Sequence, residues 1–365
     1  MAVRLLWFAL GVCVGILIVL KGNQWIRPQP TVSAKVFTDT NINDLITINT
    51  EDDVARKRSE LVAFIWGPQG FPSGLPENVE SNITDSRYSK IKNLKQIDRL
   101  TIPMDWGLAS IGYHFIPVAG NNKLLIFHGG HDGDFFSGIE VIRSFVEKGF
   151  SVIALSMPLE DPNTRPVVEL KRIGKIQLTF HDQLKLLEMK SGHPVQLFLT
   201  PIAVSLNYAR NFKYDSVYMT GVSGGGWTTT LYAALDPRIN RSYPAAGSLP
   251  LHLREDRDRT NTAHRSADWG DYEQTIPELY NIANYLELYI LGSQGPHRKQ
   301  LQILNVHDPC CYAGESAKTY EGVVNTKVQQ LGGGSFAVFL DATNRHHSIS
   351  SDAINVMLND IAGGN

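Results

Sequence analysis

The chain has 365 residues, of which 43% are hydrophobic and 19% are charged, and its formal net charge at pH 7 is -2. This balance is ordinary for a globular core, and the sequence contains no internal repeat or long low-complexity tract. The near-neutral charge, without a basic stripe interleaved with aromatic residues, argues against a nucleic-acid partner. Three cysteines are too few for a disulfide framework.

The first segment is apolar. Arg4 precedes a run from Leu5 to Leu20, and Lys21 closes it. The run is slightly short for a membrane span, long for the core of a signal peptide, and is not followed closely by a small-residue cleavage site. We therefore predict that residues 1–22 form an uncleaved transmembrane signal anchor. A cleaved signal peptide is the alternative, and in both cases the rest of the chain is exported to the periplasmic or extracellular side.

Residues 23–108 are expected to form a tether and an N-terminal arm. The stretch 28–49 is polar and has no clear period, which is typical of a tether. Residues 51–66 have apolar positions at helical spacing and an acidic first turn, which predicts a helix. The stretch 75–107 is poorly periodic, so it is expected to be irregular.

Residues 109–362 alternate between strand and helix patterns. This alternation predicts an α/β fold in which a doubly wound, mostly parallel sheet carries helices on both faces. In such sheets the chemistry collects in loops at the carboxyl ends of the strands. The predicted strands are 110–118, 123–127, 150–156, 215–220, 241–247, 286–292, 301–306 and 336–340, and the predicted helices are 137–148, 183–189, 195–212, 227–235, 314–331 and 349–361.

An insertion at about 250–285 interrupts this alternation. It is either a lid or substrate wall, or a plain surface excursion. In the first case Trp269 and Tyr272 would bind substrate, by stacking on a sugar or covering an acyl group.

Ser223 lies between a predicted strand and a predicted helix, in the motif Gly-Val-Ser-Gly-Gly. Gly221 and Gly225 lie two residues to either side, where a side chain would collide across a tight corner. This context predicts a nucleophilic serine on a strained elbow, with the Gly224 amide directed at the group that it attacks. A glycine-rich turn that happens to contain a serine is the alternative.

A serine hydroxyl needs a base to take its proton and a third group to orient that base. His347 is the favoured base, with His346 as the alternative, because both directly follow the last strand. Asp308 follows the penultimate strand and is the favoured acid, whereas Asp341 is the second candidate and is expected to be structural. The chain order Ser223, Asp308, His347 is the order expected for this architecture.

The developing oxyanion needs two hydrogen-bond donors. Gly224 supplies one amide, and Gly130, with Gly129 as the alternative, supplies the other from the loop after an early strand. The same stretch has a competing interpretation as a metal site. Because the glycines have a role without metal, we predict neither a metal nor a cofactor, although four residues are competent ligands: His128, His131, Asp132 and Asp134.

These motifs resemble the α/β-hydrolase superfamily, in its serine esterase/lipase-like and exported branches. The resemblance covers about residues 110–362 and implies an eight-stranded sheet and cofactor-free hydrolysis through an acyl-enzyme. His131 replaces the third glycine of the lipase His-Gly-Gly-Gly motif, which argues against a lipase-type pocket for bulky alcohols. The matching pieces are 128–130, the 221–225 elbow, 235–239, Asp308 and His347.

The sequence therefore predicts a serine hydrolase that cleaves a carboxylic ester, the acyl or acetyl ester of a glycan, lipid or small molecule. A serine peptidase with the same triad and a non-catalytic binding protein on a hydrolase fold are the alternatives. Cys310 and Cys311 adjoin the acid and form either a vicinal disulfide that braces its loop or two packed thiols.

Overall fold

The computed structural model describes residues 36–131, 133–254 and 267–363. The predicted anchor at residues 1–22 and the start of the tether lie outside these ranges. Within them, no helix combines the length and the apolar character that a bilayer crossing requires.

A single large sheet organises the described residues. Its strand order is β1-β2-β3-β5-β4-β8-β9-β10-β11, and a separate hairpin pairs β6 with β7. The six strands from β5 to β11 in this order are parallel, and β1, β2 and β3 add an antiparallel edge. The strands are β1 (Asn78–Glu80), β2 (Leu94–Pro103), β3 (Ala109–Pro117), β4 (Lys123–His128), β5 (Ser151–Leu155), β6 (Val167–Leu170), β7 (Gly174–Gln177), β8 (Ser216–Val222), β9 (Ile239–Ala245), β10 (Lys299–Asn305) and β11 (Ser335–Asp341).

Helices cover both faces of this sheet, as the alternating pattern predicted. The buried side chains of α2 and α8 share one hydrophobic cluster, and those of α1, α3, α4, α6 and α7 share another on the opposite face. The α-helices of the described residues are α1 (Glu51–Trp66), α2 (Ile139–Glu147), α3 (Gln196–Ala209), α4 (Gly224–Leu235), α5 (Pro277–Ile282), α6 (Tyr285–Ser293), α7 (Glu321–Gln330) and α8 (Ser351–Ala362).

The predicted irregular arm before residue 109 is wrong in two places. The stretch 75–107 contains β1 and β2, and β2 pairs along its length with β3. The sheet therefore has nine strands in the described chain rather than the expected eight. The expected tether is also partly docked, because Ile42, Ile46 and Ile48 are buried in the core. A few apolar residues in a polar stretch give only a weak periodic signal. Their role in the core is therefore visible only in the packed structure.

The prediction of a strand at 286–292 is also wrong, because this segment is helix α6. A capping box between Asn284 and Glu287 starts the helix, and every residue from Tyr285 to Ser293 is buried. The sequence pattern of a short apolar run does not distinguish a buried strand from a buried helix. The prediction missed the polar cap that distinguishes the two.

Helix α1 shows how the N-terminal region is held. Its bounds, Glu51–Trp66, are those that the sequence predicted, and a capping box formed by Thr50 and Asp53 begins it. Lys57, on its buried side, donates to a carboxylate oxygen of Glu287 at 2.9 Å, and both side chains are buried. This ion pair joins α1 to α6.

The carboxyl ends of β8, β10 and β11 lie at the same edge of the sheet. Val222 pairs with Ala245 in β9, Ile303 in β10 pairs with the same residue, and Asn305 pairs with Asp341 in β11. Because these strands are parallel, the loops that carry the three proposed triad residues leave the sheet on the same side.

The insertion is folded against this edge where the structure describes it. The buried Arg254 guanidinium donates to Leu249 O at 2.7 Å and to Gln274 Oε1 at 3.1 Å. Asp268 accepts the Tyr312 amide at 2.6 Å, which ties the insertion to the loop after β10. Residues 255–266 of the insertion lie outside the described ranges, so its action as a lid stays a prediction.

We predict that Lys57→Met lowers the free energy of unfolding by about 3–5 kcal/mol, because the substitution leaves the buried Glu287 carboxylate without its cation. Urea denaturation measures the change. The matched control is Arg56→Met on the same helix, which removes surface ion pairs with Asp53 and Glu60 and should change stability little. Equal effects of the two substitutions would contradict the assignment.

Candidate active site

Ser223 lies at the corner between β8 and α4, in a backbone conformation that is unusual for a residue with a side chain. Its φ is 57° and its ψ is -126°. A Cβ on Gly221 would lie 2.4 Å from Gly225 O, and one on Gly225 would lie 2.1 Å from His128 O. The corner therefore excludes side chains at both positions, as the motif predicted, and holds the serine in a strained conformation.

Asp308 and His347 are in contact. His347 Nδ1 lies 2.9 Å from Asp308 Oδ2 and 3.0 Å from Oδ1, so the ring can donate one proton to the carboxylate. The other ring nitrogen, Nε2, is buried and has no hydrogen-bond partner among the described residues. A base that serves a serine hydroxyl has this arrangement, in which one nitrogen is oriented by an acid and the other is free to take a proton.

The loop that carries His347 is held by two asparagines. Asn305 Nδ2 donates to the backbone oxygens of His346 and Ser348 at 3.1 Å, and Asn344 Nδ2 donates to Ser348 O at 2.9 Å. The His346 side chain is exposed, whereas that of His347 is directed at Asp308. The geometry therefore favours His347 over His346 as the base.

Asp341, the second candidate for the acid, is engaged elsewhere. Its Oδ1 accepts the amides of Thr343 and Asn344 at 2.9 and 3.0 Å, and its Oδ2 accepts Ser350 Oγ at 2.5 Å. Ser350 in turn caps α8. Asp341 thus shapes the loop after β11, which is the structural role expected for it.

The acid loop carries the paired cysteines. Cys310 and Cys311 are joined by a disulfide, as one of the two sequence interpretations proposed. Their amides donate to Asp308 Oδ1 at 2.8 and 3.0 Å. Burial alone would raise the pKa of Asp308, but His347 and these amides outweigh it and hold that pKa below its usual value. The acid is therefore kept ionised.

The loop after β4 approaches the elbow from the other side. A Cβ on Gly130 would lie 2.7 Å from the Ser223 Cβ, so the Gly130 backbone passes directly against the serine. The Gly129 amide donates to Leu155 O at 2.8 Å and is committed to the sheet. Gly130 is thus better placed than Gly129 to supply the second oxyanion donor, and Gly224 begins α4, where the first amides have no intrahelical acceptor.

Comparison with known proteins identifies the fold. No protein-family model and no curated protein matches this sequence. Among solved structures, the acetyl xylan esterase from Paenibacillus sp. R4 aligns over 89% of this chain and 100% of its own, with a TM-score of 0.55 and 14% identity. The protein has the α/β-hydrolase fold.

Two further structures support this assignment at the same identity. Acetyl xylan esterase 1 from Thermoanaerobacterium sp. JW/SL YS485 aligns over 88% of this chain and 97% of its own, with a TM-score of 0.54 and 14% identity. Methylesterase BT1017 aligns over 88% of this chain and 66% of its own, with a TM-score of 0.55 and 14% identity. At this identity the likeness establishes the fold alone.

The sequence offered four candidate metal ligands at the end of β4 and in the loop after it. The described residues among them do not come together as a metal site. His128 is buried and bonds Gly129 O at 2.9 Å, and burial lowers its pKa to about 4. Asp134 pairs with Arg87 and accepts the Phe136 amide at 2.8 Å. Asp132 lies outside the described residues.

His131 instead lies beside three residues that the sequence interpretation did not connect with it: His181, Asp271 and Glu273. Burial opposes protonation of His131 and His181, but the two carboxylates outweigh it and raise the pKa values to about 10 and about 9. The carboxylates therefore attract positive charge to this cluster. No sequence signal connected His181 with His131, because the two residues are 50 positions apart and belong to no common motif.

The proposed substrate aromatics of the insertion differ in their surroundings. Tyr272 packs into the core, with its ring centroid 6.2 Å from that of Phe198, and its hydroxyl is buried. Trp269 is only half-buried. Tyr272 is thus held against the core, and substrate binding by either ring stays a prediction.

We predict that Gly225→Ala destabilises the protein by about 1–3 kcal/mol and lowers any serine-dependent activity, because the new methyl group would overlap the His128 carbonyl. Thermal and urea unfolding measure the loss. Gly322→Ala in α7 is the control. Its Cβ would meet no atom within 4 Å, so it should stabilise the helix by about 0.5–1 kcal/mol. A neutral Gly225→Ala would contradict the described elbow.

Proposed function

We propose that the protein is a carboxylic-ester hydrolase that works through a serine triad of Ser223, Asp308 and His347. The observation that carries this proposal is the Asp308–His347 hydrogen bond at 2.9 Å, at the same sheet edge as a serine with φ of 57°. The fold shared with known esterases agrees with it but does not by itself establish an activity.

In the proposed reaction, Ser223 Oγ attacks the ester carbonyl while His347 Nε2 takes its proton. Asp308 holds the ring through Nδ1 and stabilises the imidazolium that forms. The amides of Gly224 and Gly130 donate to the oxyanion of the tetrahedral intermediate. The carbon–oxygen bond to the alcohol then breaks, His347 protonates the leaving alkoxide, and an acyl-serine remains.

Water completes the cycle by the same route. His347 removes a proton from the water, the resulting hydroxide attacks the acyl-serine, and the Ser223 oxygen leaves with the proton that His347 returns. The products are a carboxylic acid and an alcohol. Neither half-reaction needs a redox cofactor.

For the substrate we propose a short acyl ester, the acetyl ester of a glycan or a small molecule, in preference to a lipid. The compared structures above a TM-score of 0.5 are named as two acetyl xylan esterases and a methylesterase. His131, in place of a third glycine, reduces the space beside the serine. A Cβ on Gly224 would lie 2.5 Å from the His131 ring. This crowding supports a small acyl or alcohol group near Gly224.

We also propose that the catalytic domain acts outside the cytoplasm, anchored to the membrane through residues 1–22. The apolar run and its charged flanks in the sequence support this location. The Cys310–Cys311 disulfide agrees with it, since disulfides persist in oxidising compartments.

A fluorophosphonate probe should label the wild-type protein at Ser223 and fail to label Ser223→Ala, because only an activated serine reacts with it. Peptide mass mapping locates the adduct. A panel of nitrophenyl esters from acetyl to decanoyl, with an aminoacyl nitroanilide alongside, separates esterase from peptidase activity. Equal labelling of Ser223→Ala, or no labelling of wild type, would exclude the serine hydrolase.

Replacement of the base should be far more costly than replacement of its neighbour. We expect His347→Ala to lower kcat by about 10⁴- to 10⁶-fold, because the serine loses its proton acceptor. His346→Ala removes an exposed ring from the same loop and should leave kcat within a few-fold of wild type. Steady-state kinetics on the best ester of the panel gives both values. The reverse ranking would transfer the role of base to His346.

A further inference from the structure

Four side chains from three separate segments converge beside the proposed active site. His131 follows β4, His181 begins a 3-10 turn at His181–Leu186, and Asp271 and Glu273 belong to the insertion. One ligand atom from each lies within 4.8 Å of the others. His131 Nε2 is 3.0 Å from His181 Nδ1, 3.1 Å from Asp271 Oδ2 and 3.5 Å from Glu273 Oε1.

The hydrogen bonding of His181 shows which of its two ring nitrogens has a lone pair directed at the cluster. Its Nε2 lies 2.7 Å from Pro158 O, and a carbonyl oxygen only accepts, so Nε2 carries the proton. In the neutral ring Nδ1 is then unprotonated and is directed at His131 Nε2. Metal-binding histidines usually have this arrangement, in which one ring N–H donates to a backbone carbonyl and the lone pair of the other nitrogen is available to the metal.

Glu273 supplies an independent observation. Its side chain is 0% exposed, and neither carboxylate oxygen has a hydrogen-bond partner among the described residues. Burial of an ionised carboxylate is costly unless a cation or strong donors compensate for it. Its nearest polar neighbours in the cluster are the two histidine nitrogens, at 3.5 Å for His131 and 3.8 Å for His181.

We propose that His131, His181, Asp271 and Glu273 bind one divalent transition-metal ion of the Zn²⁺ type. Zn²⁺ takes histidine nitrogen and carboxylate oxygen at about 2.0–2.2 Å, which in a tetrahedron separates neighbouring ligand atoms by about 3.4 Å. The histidine nitrogens lie 3.0 Å from each other and 3.1 to 3.8 Å from the carboxylate oxygens, and one ligand atom from each of the four residues lies within 4.8 Å of the others. Two neutral imidazoles and two carboxylates also balance the charge of a divalent ion.

The position of this site links it to the oxyanion loop. His131 directly follows Gly130, and its ring packs against Gly224, where a Cβ would lie 2.5 Å from Cε1. The ion would therefore join the loop after β4 to the insertion and set the placement of both proposed oxyanion donors. This consequence for catalysis rests on the proposed function, whereas the metal site itself does not. The proposal departs from the sequence expectation of a protein without metal.

The cluster is open enough to exchange an ion with solvent. The Asp271 side chain is 48% exposed and that of His131 is 33% exposed, although Glu273 and His181 are buried. A chelator such as dipicolinate should therefore remove the metal without unfolding the protein, and added metal should return it.

The test is a direct measurement of metal binding by the full-length protein. After treatment with dipicolinate and its removal, CoCl₂ is added and the visible absorption of the bound Co²⁺ is followed, with ZnCl₂ in a competing calorimetric titration. We expect one ion per chain, a visible band typical of four- or five-coordinate Co²⁺, and a higher Tm with Zn²⁺, since a ligand of the native state stabilises it. No uptake by the wild type would overturn the proposal.

Variants assign the ion to this cluster. Glu273→Gln retains the shape of the side chain, and it and His181→Ala should each weaken Co²⁺ binding by more than about 100-fold, since loss of an orienting residue alone costs about 10- to 100-fold. His297→Asn replaces an exposed histidine of positive φ outside the cluster and should bind like wild type. Undiminished binding by Glu273→Gln, with a folded circular dichroism spectrum, would refute the assignment.

One further comparison separates the two proposals. Ser223→Ala should bind Co²⁺ as tightly as wild type, because the serine is not a ligand. If the proposed function holds, removal of metal lowers esterase activity and ZnCl₂ restores it. If esterase activity is missing but Co²⁺ binding follows the variants as described, the metal site stands and the proposed function fails.

Discussion

The structure depends on one tight backbone corner, where β8 turns into α4. Neither Gly221 nor Gly225 has room for a Cβ, and Gly226 packs so closely on β9 that a Cβ would lie 2.4 Å from Ala245 O. The corner packs closely against β4 and β9. Ser223 lies at this corner between the glycines and carries its side chain there, with φ of 57°. Strain of this kind persists only where the surrounding packing imposes it.

Two different electrostatic arrangements flank this corner. On one side a buried carboxylate, Asp308, faces one imidazole and two backbone amides, so its charge is satisfied within the protein. On the other side the carboxylates of Asp271 and Glu273 face two imidazoles whose nitrogens lie 3.0 Å apart. The first arrangement is complete with protein groups alone, whereas the proposed metal ion would complete the second. The proposals of a base and of a metal site follow from this difference.

The insertion connects these two sides. Asp268 accepts the amide of Tyr312 in the acid loop, Tyr280 accepts the indole proton of Trp227 in α4, and Glu273 reaches the histidine cluster. A segment that contacts the loop after β10, helix α4 and the loop after β4 can transmit its own displacement to each of them. The described part of the insertion is therefore packed against all three elements, while its role as a lid or substrate wall stays a prediction.

Much of the site could be predicted from local sequence, because its parts are local. The elbow needs glycine at fixed offsets from Ser223, and helix α1 needs an N-cap and an acidic first turn, so both are written in consecutive residues. The order of Ser223, Asp308 and His347 along the chain is the one expected for this architecture. The structure agrees with the elbow and with the bounds of α1, while the triad and its catalytic roles stay proposals.

Other features required the tertiary structure, since they depend on residues far apart in the chain. The choice of His347 over His346 depends on how Asn305 and Asn344 hold the loop. The helix at 285–293 depends on a capping residue that lies outside the apolar run. The histidine–carboxylate cluster draws on residues 131, 181, 271 and 273, and no spacing in the sequence relates them. The sequence by itself determined the elbow, the layering of strands and helices, and the candidate side chains. Only folding decided which of them meet, because hydrogen bonds and ion pairs depend on distance in space.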